Sequence, residues 1–245
     1  MSATPLSVRG VLLDIEGTTS SVRYVYDVLF PFALDGLVPY LEQHWHEPAV
    51  VAACEQIAHD AGHDSLIAWC GADADQAARR QCVIDEVRRL MASDVKATGL
   101  KALQGLIWQQ GYDAGLLVSH VYDDVPPALV AWQRSGLDVR IYSSGSIAAQ
   151  KVFFAHTEFG DLLPFLRGHY DTTTGPKREA ASYRRIAQAM NLPLVSIVFC
   201  SDIPAELDGA REAGMQTRLV VRPGNAPVPS DVSHVAITSF VELKF

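Results

Sequence analysis

Asp14 and Glu16 stand two residues apart, directly after the apolar run Val11-Leu12-Leu13 and before Gly17-Thr18-Thr19. Val8 to Leu13 reads as a short buried strand, and Gly17 as the chain break that follows it. Two carboxylates at the end of a buried strand repel each other and lose hydration. A cation between them relieves both penalties, and Mg2+ is the hard, oxygen-seeking candidate. An aspartate beside Mg2+ can attack phosphorus and form an aspartyl-phosphate. The competing reading is a strand that ends in an Asx-type turn, with Asp14 capping backbone donors.

Three more places in the chain bear on that choice. Ser143-Ser144-Gly145-Ser146 follows the strand-like Val139-Arg140-Ile141-Tyr142. Hydroxyls and free N–H groups ahead of a helix suit a phosphate, while plain capping by Ser144 or Ser146 explains them equally. Lys177, in Gly175-Pro176-Lys177-Arg178, sits where a helix is expected to begin. A cation there opposes the helix dipole. The conflict is relieved if Lys177 points at a bound phosphate and at Asp14; the alternative is a solvated surface lysine. Asp202 follows the strand-like Ser196–Cys200. It could join Asp14 as a magnesium ligand or cap the helix expected from Pro204. Glu206 either supports that site or simply favours the first helical turn.

The elements that must position these residues fall into two patterns. Positions 24–120 are helical in character. Tyr24–His44 has helix-spaced apolar residues, interrupted by Pro31 and Pro39. Pro48–His59 and Ala74–Met91 are further helices, and Thr98 is the expected cap of another that runs to Gly111. From about 121 the pattern alternates. Helices are expected from Asp124, as N-cap, to Gly136, and over 147–156, 178–190 and 204–213. Strands are expected over 139–142, 196–200, 217–221 and 234–238. Such alternation predicts an α/β fold, a Rossmann-like parallel sheet covered on both faces, with ligands at the carboxyl ends of its strands. The first strand is separated from the second by about a hundred helical residues. The economical arrangement is a discontinuous core, 1–20 and 121–245, with a helical cap inserted at 21–120.

Composition narrows the partners. Hydrophobic residues make up 49% of the 245-residue chain, enough for a sizeable core. The net charge of -8, with no basic stripe, argues against nucleic acid and leaves a phosphorylated small molecule open, since a local site can override the global charge. Cys54, Cys70, Cys82 and Cys200 form no C-x-x-C pair, so free thiols in a reducing cytoplasm are expected. The N-terminus lacks a basic segment followed by an apolar one, and no apolar run reaches the roughly 20 residues of a membrane span. A cytoplasmic monomer without a membrane partner is the expectation. His44 with His46, and His59 with His63, lack a third ligand and read as solvated or capping residues. Trp108 and Tyr112 read as packing residues in the helical segment, with a sulfur-bearing substrate end as the alternative partner.

The acid pair, serine turn, lysine and acid-ended strand come in one order. That order resembles the haloacid-dehalogenase-like superfamily of phosphotransferases over Val11–Val221. Asp14-Ile-Glu-Gly-Thr-Thr, Ile141-Tyr-Ser-Ser-Gly-Ser, Ile107-Trp-Gln-Gln-Gly-Tyr and Val220-Val-Arg-Pro-Gly-Asn are similar to its enolase-phosphatase (acireductone synthase) group of methionine salvage. Most of the superfamily has aspartate where this chain has Glu16; the enolase-phosphatase group has glutamate. The resemblance implies magnesium-dependent enolisation and dephosphorylation of 2,3-diketo-5-methylthiopentyl 1-phosphate to an acireductone. It implies that Asp14, Glu16 and Asp202 hold Mg2+, that Ser143, Ser144 and Lys177 hold substrate, and that Asp14, Glu16 and Lys177 are catalytic. The rivals are another small-molecule phosphomonoesterase on the same scaffold, a haloacid dehalogenase, and a catalytically silent scaffold protein.

Overall fold

The computed structural model describes residues 8–228 and 231–245. The N-terminal stretch read above for a leader lies largely outside them. In chain order the elements are β1 (Gly10–Leu13), α1 (Val22–Tyr24), a π-helical turn (Val25–Leu29), α2 (Phe30–His44), α3 (Pro48–Asp60), α4 (Leu66–Cys70), α5 (Gln76–Ala92) and α6 (Thr98–Asp113). There follow α7 (Val125–Arg134), β2 (Asp138–Tyr142), α8 (Ile147–Ala155), β3 (Gly168–Tyr170), α9 (Ala180–Met190), β4 (Ile197–Ser201), α10 (Pro204–Ala213), β5 (Gln216–Val220) and β6 (Ala236–Ile237). The described residues divide into two compact units, those up to 25 together with those from 118 onward, and 26–117.

The first unit is built on a parallel sheet of order β3-β2-β1-β4-β5-β6. β1 lies inside it and is buried along its whole length, as its unbroken apolar sequence requires. Leu12, Phe199 and Leu219 pack with Tyr183, Ile186, Leu207 and Ala210 of α9 and α10. The second unit is helical. Its core gathers Leu37 and Leu41 of α2, Ile57 of α3, Val83 and Val87 of α5, and Leu103 and Ile107 of α6. α10 begins on Pro204 and stops at the left-handed Gly214, as expected.

Several local expectations fail for identifiable reasons. Val8 and Arg9 precede β1 rather than extending it. β3 and α4, three and five residues long, are too short to impose a period on the sequence. Thr98 is the first residue of α6 and not its cap, which falls on Ala97. Lys177 lies before Glu179, the N-cap of α9, so it is outside the helix whose dipole it was expected to oppose.

Asp124 is the N-cap of α7, as expected, but its side chain makes no capping bond there. Its Oδ2 accepts instead from Phe240 N at 2.6 Å, Ser239 Oγ at 2.9 Å and Arg222 Nη2 at 3.0 Å. Burial would raise its carboxyl, but the Phe240 N–H, the Arg222 guanidinium and Ser239 outweigh it and hold it below the ordinary 3.8. The unfolded chain therefore takes up this proton at higher pH than the folded protein. Asp124 contributes stability above the unfolded value and loses it as pH falls through the lower folded value. The melting-temperature gap between wild type and Asp124→Asn should thus be widest near neutral pH and narrow below about pH 4. A gap that does not change with pH would show that the carboxylate charge is irrelevant to this contact.

Candidate active site

Leu13, the last residue of β1, pairs with Ile141 on one side and Cys200 on the other. Asp14, Ser143 and Asp202 therefore leave the same end of three adjacent parallel strands. The order reverses at β1, which puts a crevice at that end. Asp14 is buried, and its N–H donates to Cys200 O at 3.0 Å. The chain then turns sharply. Thr18, Thr19 and Ser20 all donate backbone N–H groups to Ile15 O, at 3.1, 2.9 and 2.9 Å. Gly17 takes φ 70° there, and a Cβ on it would fall 2.3 Å from Asp202 Oδ2. Only glycine fits both the backbone and the space.

Lys177 is buried with its Nζ 2.7 Å from Asp14 Oδ1 and 2.6 Å from Glu206 Oε2. Its turn is pinned on several sides. Tyr142 Oη donates to Gly175 O at 2.8 Å, and Ser182 Oγ to Pro176 O at 2.8 Å. Tyr183 Oη donates to Lys177 O at 2.5 Å, and reaches Glu206 O at 3.0 Å. Gly209 of α10 lets that helix lie against the same turn, for a Cβ there would meet Arg178 O at 2.8 Å. Burial by itself would lower the Lys177 ammonium, but the carboxylates of Asp14 and Glu206 outweigh it and raise it, so Lys177 stays charged.

Glu16 Oε2 accepts from Ser143 Oγ at 3.1 Å, and Ser143 Oγ accepts in turn from Gly145 N at 3.2 Å. Ser144 lies in that turn between them. The cap of α8 is Ser146, which takes Ala149 N at 3.2 Å, so capping does not account for Ser143 or Ser144. Asp202 does not cap α10 either; that place belongs to Ile203.

The electrostatics of this pocket are unbalanced. Burial first, and Asp14 next to it, push the Glu16 carboxyl up, against the pull of Lys177. Burial, then Asp14 and Glu206, push Asp202 up to about 7. Burial and Asp14 also push Glu206 up to about 7. Asp14, Glu16, Asp202 and Glu206 thus share one ammonium. Among the described residues no three acidic, histidine or cysteine side chains converge as a ready-made metal group; like charges spread apart unless a cation joins them. The donor set nevertheless fits Mg2+: hard carboxylate oxygens in charge excess, beside a buried acceptor, Asn225 Oδ1, that has no donor.

Glu206 earned only a conditional reading from sequence, yet it completes the ion pair of Lys177. Its four-residue spacing from Asp202 was the available signal. Arg222 and Asn225 carried no site reading of their own. Arg222 Nε donates to Thr18 O at 3.2 Å, and Asn225 Nδ2 to Gly17 O at 2.9 Å. Both fasten the turn after β1, through contacts between positions about two hundred residues apart. In the helical unit, His44 pairs with Glu47, His59 with His63 O, and Trp108 Nε1 donates to Leu29 O.

Comparison with known proteins follows the same lines. The model of a family described as haloacid dehalogenase-like hydrolase matches residues 8–214. A Pseudomonas aeruginosa protein named enolase-phosphatase E1 is 45% identical, over 97% of this chain and 99% of its own. A Synechococcus elongatus protein of the same name is 45% identical over 91% of this chain and 93% of its own. Among solved structures, the UTR4 protein of Saccharomyces cerevisiae is 32% identical with a TM-score of 0.76, covering 97% of this chain and all of that one.

Proposed function

We infer the chemistry of this site from one premise: the chain belongs to the haloacid dehalogenase-like hydrolase family and, within it, to the enolase-phosphatases. It is a hydrolase, a phosphatase. The reaction is enolisation of 2,3-diketo-5-methylthiopentyl 1-phosphate, followed by dephosphorylation to the acireductone 1,2-dihydroxy-3-keto-5-methylthiopentene, a step of methionine salvage. The observation that carries this reading is the buried Lys177 ammonium, 2.7 Å from Asp14 Oδ1 at the carboxyl end of β1.

Asp14 is the nucleophile. Its carboxylate attacks phosphorus in line, the bond from phosphorus to the substrate oxygen breaks, and an aspartyl-phosphate forms on Asp14. Mg2+, held by Asp14, Glu16 and Asp202, would offset the repulsion between the attacking carboxylate and the phosphoryl oxygens. Lys177, Ser143 and Ser144 hold the phosphoryl oxygens, and Lys177 neutralises charge that builds on them in transfer. Glu16 protonates the leaving oxygen and then takes a proton from the water that attacks the aspartyl-phosphate.

The helical segment over 21–120, inserted in sequence straight after the Asp14 turn, is the cap. The four free cysteines support a cytoplasmic setting, and no helix among the described residues is long and apolar enough to cross a membrane. A monomer acting on a small phosphorylated molecule completes the reading.

The direct test is incubation with the diketo phosphate and Mg2+, following enol absorbance and free phosphate together. Phosphate release without acireductone would reduce the reading to a plain phosphomonoesterase. A sharper test uses Glu16→Asp. The glutamate carboxylate reaches one methylene farther than aspartate, toward both Ser143 and the substrate. The variant should keep some hydrolysis of a simple phosphate ester while enolisation falls at least about tenfold, ~1.4 kcal/mol. Equal losses in the two activities would deny the longer side chain any special part in the enolase step.

A further inference from the structure

Asn225, in the segment after β5, bonds to the turn that carries Glu16, and only half of its amide is accounted for. Nδ2 donates to Gly17 O at 2.9 Å and to Val220 O at 3.3 Å. Both partners are carbonyls, so turning the amide over would set oxygen against oxygen; its orientation is fixed. Oδ1 is therefore directed away from both. It is buried and accepts no hydrogen bond. Thr18 Oγ1, on the same turn, is likewise buried without a partner. A Cβ built on Gly17 would lie 3.0 Å from Asn225 Oδ1 and 2.3 Å from Asp202 Oδ2. An orphaned amide oxygen and a carboxylate oxygen thus border the same small space beside Gly17. Neither has a hydrogen to offer when Asp202 is ionised. Buried acceptors are rarely left bare; ordered water or a ligand supplies the donor.

We propose that Asn225 is a positioning residue of the cation site, its Oδ1 accepting a hydrogen bond from a water on the Mg2+ bound by Asp14, Glu16 and Asp202. The inference rests on the magnesium reading given above. Mg2+ keeps several of its waters when few protein oxygens bind it. Those waters are polarised and are strong donors, so a fixed acceptor beside the site orients them. Such outer partners govern metal affinity as well as turnover; losing one costs about ten- to a hundredfold in binding. Asn225 also ties that acceptor to the Gly17 carbonyl, so that the turn and the metal's hydration are aligned through one side chain.

The test is Mn2+ binding to the full chain, followed by the electron paramagnetic resonance signal of free Mn2+, with no substrate present. Asn225→Ala removes both halves of the amide and should weaken Mn2+ at least about tenfold. Asn225→Asp keeps an acceptor, adds a negative charge and loses the donor to Gly17 O; it should bind within about threefold of wild type or tighter. Melting in metal-free buffer checks each fold, and Asn225→Ser provides a second truncation if the alanine variant does not fold. Unchanged binding in the truncations, or equal weakening in Asn225→Asp, would overturn the assignment and leave Asn225 a backbone clamp only. A wild-type protein that binds no Mn2+ would overturn the magnesium reading itself, and this assignment with it.

Discussion

Asp14→Asn should abolish turnover while the protein remains folded. The amide is almost the same size as the carboxylate. Its oxygen can go on accepting from Ile15 N and from Lys177, which meet Asp14 Oδ1 at 2.8 and 2.7 Å. Its nitrogen would face Ser201 Oγ, 3.2 Å from Oδ2, and that hydroxyl can rotate to accept. The backbone anchors of this position, Asp14 N to Cys200 O and Thr19 Oγ1 to Asp14 O, do not involve the side chain. What disappears is the nucleophile, together with one charged magnesium ligand. We expect kcat for para-nitrophenyl phosphate with saturating Mg2+ to fall by at least about a thousandfold, ~4 kcal/mol. Residual activity above about a tenth of wild type in purified protein would exclude Asp14 as the nucleophile, since loss of a nucleophile leaves far less than that.

Position in the chain decided which parts of this site could be read in advance. β1 and β4 were legible because a strand buried on both faces must be apolar throughout, and each then delivers an acid at its end. α10 was legible because proline opens it and glycine closes it. Asp124 was legible as the N-cap position of α7, but not the use of its side chain, which is taken by partners far away in sequence, Arg222 and the backbone at Phe240. Lys177 was placed at a helix start, whereas it occupies a separate turn held by Tyr142, Tyr183 and Ser182. Its pairing with Asp14 was one of two readings left open, reached through a helix-dipole conflict that does not exist, since Lys177 lies outside α9. Asn225 was illegible as a site residue. Its meaning depends on Gly17 and Asp202, and no local pattern joins those three positions.

Lys177→Met offers the second large effect, because it removes the one ammonium shared by Asp14 and Glu206. Methionine has similar length and suits the neighbouring rings, for Nζ lies 5.8 Å from the centre of Tyr142 and 6.0 Å from that of Phe199. Packing is therefore largely kept, and the charge is what is lost. Breaking a buried pair by removing one partner costs about 3–5 kcal/mol, since the other charge stays behind unpaired. Denaturant unfolding at neutral pH should register a loss of that order, and turnover should fall at least about a hundredfold, ~3 kcal/mol, without the cation on the transferring oxygens. Two companions separate these effects. Adding Glu206→Gln to Lys177→Met removes an orphaned carboxylate and should restore more than half of the lost stability, but no turnover. Lys177→Arg keeps the charge and should restore part of the stability. Its planar fork cannot stand in for a compact ammonium between Asp14, Glu206 and a phosphoryl group, so turnover should stay low. If the double variant were no more stable than Lys177→Met, unpaired charge would not be what destabilises the site, and the ion pair would lose its place in the argument. If Lys177→Arg recovered turnover, positive charge alone, without the ammonium's geometry, would suffice for phosphoryl transfer.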